Sequence, residues 1–345
     1  NSVLGARCNR NSGIIDIMGS IVGYVPYFGL LTDEGRKATW VVKIETTKKP
    51  EAQLLGSAIG MKVMEDVPYV VGLDKWIGNE LNDEACAYLK DFGAATASNG
   101  AVGLYHIENL TPEAVEQGTE LIAENAKEYI IDDAELKRVQ DNYPVIWKNP
   151  NASPKLCFVG CPHLSLKQLK NWTEDLEREL KANGKKKVTL PTVFTAAPKV
   201  LDEFNKTEYA ARLKATGVIT SYICPLMYMN NPLCKKMPVI TSSNKLRTYT
   251  SARYYTDDEI LAQIKLTPGD MAYLRRHDVL YVTLTSAYKL DDALVEKVDK
   301  ATTKLLNTVN GKTSLWVRED ESLIGGLRLR IGDTVYDATI KEELY

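Results

Sequence analysis

Along most of this chain, short apolar runs alternate with longer segments whose apolar residues recur at helical spacing. Residues 40–45 (WVVKIE) read as a strand and 51–64 (EAQLLGSAIGMKVM) as a helix; 69–73 and 83–92 repeat the pair. The run 101–107 (AVGLYHI) predicts a third strand, with His106 near its end. Thr111-Pro112-Glu113 marks a helix start, with threonine as the cap and proline at the first position. Residues 132–139 predict a further helix, and the polar stretch 148–154 reads as a linker. Beyond it, strands are expected at 157–160, 188–190, 218–223 and 238–241, and helices at 165–182, 197–204 and 208–216. Ser165 is placed to cap the first of these helices and Gly184 to stop it, while Ser243-Asn244-Lys245 opens another.

The pattern changes after Pro268-Gly269-Asp270. Residues 279–286 (VLYVTLTS) alternate strictly, 291–306 form an amphipathic helical pattern, and 313–318 read as a strand. A hairpin over 323–331 and 334–336 turns at Gly332-Asp333. The expected fold is therefore α/β: layered α/β domains with a βα-repeat subdomain, followed by a small α+β domain of β-α-β-β order. The expected boundaries are 1–150, 151–268 and 271–345. The last segment has no His or Cys beyond His277, and reads as a structural or docking module.

One stretch raises a membrane question. Residues 13–31 are largely apolar, but they include Asp16, Pro26 and four glycines and are barely long enough to span, so a buried glycine-rich core segment is expected. The 345 residues suffice for two or three domains. With 43 basic against 45 acidic residues, the net charge of −2 gives no electrostatic footprint for nucleic acid. Six cysteines without regular short spacing fit reduced thiols or metal ligands better than a secreted disulfide framework. The chain begins Asn1-Ser2-Val3-Leu4 without a signal-peptide pattern, and it reads as a cytoplasmic fragment or processed product.

Candidate chemistry concentrates at 156–165 (LCFVGCPHLS), where a strand is expected to end in a tight turn before a helix. A thiol, an imidazole and a hydroxyl meet there, and ligands of open α/β sheets bind at the carboxyl ends of strands. Three expected strand ends hold Cys161, Cys224 and Asn244-Lys245, which share one edge if the strands are parallel. Two thiols with one more ligand make an iron–sulfur or metal site feasible. Cys86 and Cys157, mid-helix and mid-strand, read as small buried hydrophobes. A strand-end histidine such as His106 is more often just hydrogen-bonded than catalytic. Arg7 and Arg10, beside Asn9 and flexible backbone, can hold a carboxylate or phosphate, although from this segment alone a solvated loop is the favoured reading.

With these residues in view, positions 1 to about 265 resemble the large subunit of aconitase X, a family of hydro-lyases. The resemblance lies in NSVLGARCNR, Val67-Pro68-Tyr69, Leu104-Tyr105-His106, GCPHLS at 160–165, Ile223-Cys224 and Thr241-Ser242-Ser243-Asn244-Lys245. It implies dehydration of a small hydroxy acid, cis-3-hydroxy-L-proline or phosphomevalonate. It also implies an iron–sulfur cluster or mononuclear iron held by three cysteines. Cys161 and Cys224 match two of them; the third belongs to a family segment preceding NSVLGAR, and Cys8 stands where threonine is expected. The resemblance further implies a small swivelling-domain partner subunit bearing a catalytic serine. By the same resemblance His163 and Lys245 are catalytic candidates, and Arg7, Asn9, Arg10, Ser165 and Asn244 would bind substrate.

Residues 271–345 resemble a second family, the C-terminal domain of the F-type ATP synthase delta subunit. The match runs through Val282 to Ala287, Leu290 to Leu294 and above all SLIGGLRLRIGDTVYDATIKEEL at 322–344. That resemblance implies a stalk domain without an active site, a route to ATP synthase subunits and a peripheral attachment to a membrane. The expected function is thus a hydro-lyase using iron as Lewis acid, with a non-catalytic assembly protein as the alternative.

Overall fold

The computed structural model describes residues 1–232, 234–264, 280–306, 313–320, 326–331 and 334–339. The chain divides into two compact units, Asn1–Lys265 and Leu266–Tyr345.

In the first unit, helix α1 (Gly13–Val22) precedes a parallel sheet built from β1 (Ala38–Ile44), β2 (Pro68–Val71), β3 (His106–Ile107) and β4 (Ile122–Ile131), in the order β3-β2-β1-β4. Its helices are α2 (Ala52–Val63), α3 (Asp74–Ile77), α4 (Asp83–Asn99), α5 (Pro112–Gln117) and α6 (Asp133–Asp141). Val42, Leu55, Ile59, Val70, Leu89 and Phe92 form the heart of the core between sheet and helices. Helices α2 and α4 approach closely because glycines line the crossing. A Cβ on Gly60 would lie 2.6 Å from the Thr96 carbonyl oxygen.

The second layer is a five-stranded parallel sheet in the order β7-β6-β5-β8-β9. Its strands are β5 (Leu156–Leu164), β6 (Thr192–Ala196), β7 (Ile219–Ser221), β8 (Val239–Thr241) and β9 (Arg253–Tyr254). The helices are α7 (Leu166–Ala182), α8 (Pro198–Phe204), α9 (Glu208–Ala215), α10 (Pro225–Asn230), α11 (Asn244–Tyr249) and α12 (Asp257–Ile264). Phe194, Val159, Trp172 and Leu176 belong to its core. The capping of α7 follows the sequence: the Ser165 hydroxyl accepts from the Gln168 N–H, and the Gln168 side chain accepts from the Ser165 N–H.

The second unit contains β10 (Leu280–Ser286), α13 (Asp292–Leu306), β11 (Thr313–Glu319), β12 (Gly326–Ile331) and β13 (Thr334–Thr339). Strands β10 and β11 run parallel, while β12 and β13 add antiparallel, giving the order β11-β10-β12-β13. The expected boundary at Pro268-Gly269-Asp270, His277 and the turn at Gly332-Asp333 lie outside the described residues.

Several expectations are corrected. Residues 13–31 are not a buried core segment: α1 buries none of its residues, with Ile14 75% and Tyr24 82% exposed. The strand expected at 188–190 forms instead at Thr192–Ala196, after Pro191, and the one expected over 101–107 is confined to His106–Ile107. The turn expected at Gly160-Cys161-Pro162-His163 lies inside β5, which continues to Leu164 through a register shift between Val159 and Leu164. Gly160 takes φ +104°, and a Cβ there would sit 2.4 Å from the Thr195 carbonyl oxygen, so only glycine fits the irregularity.

Candidate active site at the edge of the second sheet

Because β5, β7 and β8 are parallel within one sheet, the chain segments that leave their carboxyl ends share an edge. Cys161 sits in the irregular end of β5, Cys224 caps α10 after β7, and Asn244 and Lys245 open α11 after β8. The peptide bond between Cys161 and Pro162 is cis.

The Cys161 carbonyl is the node of this edge. It accepts from the Ser243 hydroxyl and from the Gln53 side-chain amide of α2, the latter at 3.3 Å. Gln53 also joins α2 to α11: its side-chain oxygen accepts from the Asn244 N–H at 2.7 Å, and its carbonyl accepts from the Asn244 side-chain amide at 3.0 Å. Asn244 is fully buried and its remaining oxygen accepts from Arg247. A buried amide with every group matched is a clamp between the two layers.

Burial pushes the Cys161 thiol up from its ordinary range, with Ser243 and Lys245 opposing the shift and Cys224 adding to it. The two thiols are thus near enough to sense each other. Among the described residues, no group of three or more His, Cys, Asp or Glu side chains is placed to hold a metal ion. Two thiols alone fall short of the donor set of iron or an iron–sulfur cluster. Among the described residues the pair therefore does not complete such a site.

The imidazole of His163 is half-buried beside Lys90, and both effects lower its pKa, so it is neutral at neutral pH. Its Nε2 is buried without a hydrogen-bond partner. Lys90 of α4 donates to the His163 carbonyl at 2.5 Å and to Gln168 Oε1 at 2.7 Å. Asp91 accepts from Gln168 Nε2 at 2.7 Å, and burial lifts its carboxyl to about 6.

Glu51, at the cap of α2, accepts from the N–H groups of Gln53 and Leu54 and from the Tyr254 hydroxyl. Burial outweighs these bonds and raises its pKa to about 7. Sequence reasoning overlooked Glu51, Gln53, Lys90, Asp91 and Tyr254. Only one signal pointed to any of them, a carboxylate just before an apolar helix, and it reads as an ordinary cap.

The other expected site residues have employment elsewhere. Ser165 is taken up by the capping box of α7. Arg7 pairs with Asp33 at 2.5 Å, and Asn9 bridges the Phe28 carbonyl and the Leu30 N–H. Arg10 is exposed, and Cys8 is an exposed free thiol. His106 is buried, with Nε2 against the Arg36 carbonyl at 2.9 Å, and burial lowers its pKa.

Comparison with known proteins now bears on this geometry. Residues 38–141 match the family model of the aconitase X second domain, and 154–259 that of the aconitase X third domain. Residues 270–345 match the ATP synthase delta (OSCP) subunit. The chain belongs to the aconitase X family, with an ATP synthase delta-like region at its end. The phosphomevalonate dehydratase large subunit of Thermococcus kodakarensis is 33% identical over 199 residues, covering 57% of this chain and 46% of that one. A cis-3-hydroxy-L-proline dehydratase of Hypocrea jecorina is 30% identical over 183 residues, 49% of this chain and 28% of that one. An ATP synthase subunit delta of Clostridium perfringens is 30% identical over 139 residues, 35% of this chain and 76% of that one. The crystal structure of Thermococcus kodakaraensis aconitase X in its holo-form superposes with a TM-score of 0.62 at 28% identity, over 78% of this chain and 65% of that one. The aconitase X part thus belongs to a family of dehydratases, that is, hydro-lyases, and this chain spans less than half of each dehydratase named here. Among the described residues, no helix is long and apolar enough to cross a membrane.

Proposed function

We propose that the first unit is the core of an aconitase X type dehydratase that removes water from a small hydroxy acid, phosphomevalonate or cis-3-hydroxy-L-proline. The observation that carries this reading is the Cys161 node. A thiol-bearing strand end is clamped between two α/β layers by Gln53, Ser243 and Asn244, with Cys224 on the same edge. The relatives' names supply the reaction class.

In this reading Lys245, whose charge reaches Cys161, and the exposed Arg10 attract the substrate's anionic groups. Neutral His163 offers a nitrogen free to accept a hydrogen bond. Glu51 and Asp91, with pKa values near neutrality, are the carboxylates able to take a proton from carbon. Arg7, Asn9, Ser165 and Asn244 position the loops and helices around them. An iron or iron–sulfur group would draw on Cys161 and Cys224 plus at least one donor from another segment or subunit. A small swivelling-domain subunit is the proposed partner, and the cytoplasm the proposed compartment. The division into 1–150, 151–268 and 271–345 is kept as the proposed domain plan.

The test is to co-purify the chain with an aconitase X small subunit and follow dehydration of both acids alongside iron content. Activity with one acid, lost together with bound iron in Cys161→Ser, supports the reading. Absence of both from a folded complex sinks it.

A second reading rests on the match of 270–345 to the delta subunit. In it this region docks to ATP synthase head subunits, and those subunits would co-purify with the full chain but not with a chain ending before Pro268.

A further inference from the structure

Away from the Cys161 node, a cavity of about 450 Å³ opens on the first layer. Its wall includes Tyr69 of β2, Asp74 at the start of α3, Asn79, Glu108 and Asn109 just after β3, and Thr119. Asp74 and Glu108 follow the carboxyl ends of neighbouring parallel strands, where ligands of α/β sheets bind.

Three observations define what this cavity is built to take. Its wall contains two carboxylates and no Lys, Arg or His. Among the described residues neither carboxylate pairs with a cation, and the Asn109 amide donates to Asp74 at 2.8 Å. Second, Tyr69 is only 1% exposed, yet its hydroxyl has no hydrogen-bond partner among the described residues. That hydroxyl opens onto the cavity, where a ligand can supply its partner. Third, burial raises the pKa of the Tyr69 hydroxyl, and the negative charges of Glu108 and Asp74 add to the shift, so the hydroxyl stays neutral beside both carboxylates. Glu108 is itself raised by partial burial and by Asp74, a repulsion that a bound cation would relieve.

We propose that this cavity binds a small organic cation through a primary ammonium group, whose three N–H donors are shared among Asp74, Glu108 and the Tyr69 hydroxyl. An ammonium carries three donors and no acceptor, which matches a wall that offers two carboxylates and a hydroxyl. A bare metal ion fits poorly. The volume is within the range of small-molecule sites, and no group of three His, Cys, Asp or Glu side chains is assembled among the described residues. Ala114 and Val115 in the same wall give an alkyl chain an apolar surface. The ammonium can belong to a free amine or to a lysine side chain, and the two sources are separable by experiment.

Isothermal titration calorimetry of the full chain tests this with putrescine as the free amine and N-acetyl-lysine methylamide as the side-chain mimic. Saturable binding of either probe is expected, weakened about tenfold by Asp74→Asn or Glu108→Gln and several-fold by Tyr69→Phe. Binding of the lysine mimic alone assigns the site to a protein side chain; binding of putrescine alone assigns it to a free amine. Glu108 is only partly buried, so Glu108→Gln keeps the test valid if Asp74→Asn alters the circular dichroism. The proposal is overturned if neither amine binds at millimolar concentration, or if both bind unchanged to Asp74→Asn and Glu108→Gln. It is equally overturned if calcium binds instead, and is lost on those substitutions while the amines stay inert.

Discussion

Glu51 shows how far a single side chain can depart from what its sequence neighbours suggest. By position it is a helix cap, but burial raises its carboxyl from 4.5 to about 7. Between those values the folded chain binds more protons than the unfolded one. The associated stability is fully present below about pH 4.5 and lost as pH rises through about 7. At about 1.4 kcal/mol per unit, the full loss is roughly 3–4 kcal/mol, of which roughly 2–3 kcal/mol falls between pH 5 and 7.5. Urea unfolding at a series of pH values should therefore show Glu51→Gln gaining on the natural chain by that amount between pH 5 and 7.5; a constant difference would refute the shift. Arg36 gives the opposite case. It is 1% exposed and meets Glu113 in a two-pronged ion pair of 2.6 and 2.7 Å. Glu113→Ala leaves that guanidinium buried and unpaired, and about 3–5 kcal/mol of stability should vanish in the same assay. Neither residue stands out in the sequence, since nothing adjacent to Glu51 or Arg36 reports its burial.

Elements were legible where their own residues decide them. The Ser165–Gln168 capping box and the apolar stripe of α7 are both local, and the helix forms where its pattern ends. Strand β4 escaped because it is a sheet edge; of its residues Ile122–Ile131 only Tyr129 and Ile131 are buried, and the rest include charged side chains. The β5 irregularity escaped for another reason. Gly160-Cys161-Pro162 looks like a turn, but the Thr195 hydroxyl accepts the task of holding the Gly160 carbonyl, donating to it at 2.5 Å, and the strand resumes. The α2–α4 crossing makes a prediction at this scale. Gly60→Ala gains about 1 kcal/mol of helix propensity, but its Cβ meets the Thr96 carbonyl at 2.6 Å. A net loss of about 1–3 kcal/mol is expected by denaturant unfolding.

For the molecule as a whole, α1 and the residues after it matter most. Ile14, Ile17, Met18, Ile21, Tyr24 and Tyr27 are all more than half exposed. Exposed apolar patches of this kind mark interaction surfaces or aggregation liabilities. Because α1 contributes nothing to the core, the double substitution Ile17→Lys with Ile21→Lys should leave the urea midpoint unchanged while lowering binding of a hydrophobic dye such as ANS. A fall in the midpoint would mean that α1 packs in solution. The two units carry matches to two unrelated families, so their unfolding transitions are separate quantities.

By itself the sequence determined the class of fold, the alternation of strands and helices, and the placing of Cys161, Cys224 and Asn244 at the ends of three strands. These rest on periodicity and punctuation, which neighbouring residues encode. Only the tertiary structure decided that Cys161 is held by Gln53 and Ser243, that Asn9 and Arg7 serve the loop around them, and that Glu51 takes its proton near neutrality. The reason is distance along the chain. Gln53 and Asn244 meet from 191 positions apart, and burial, pairing and pKa are properties of such meetings.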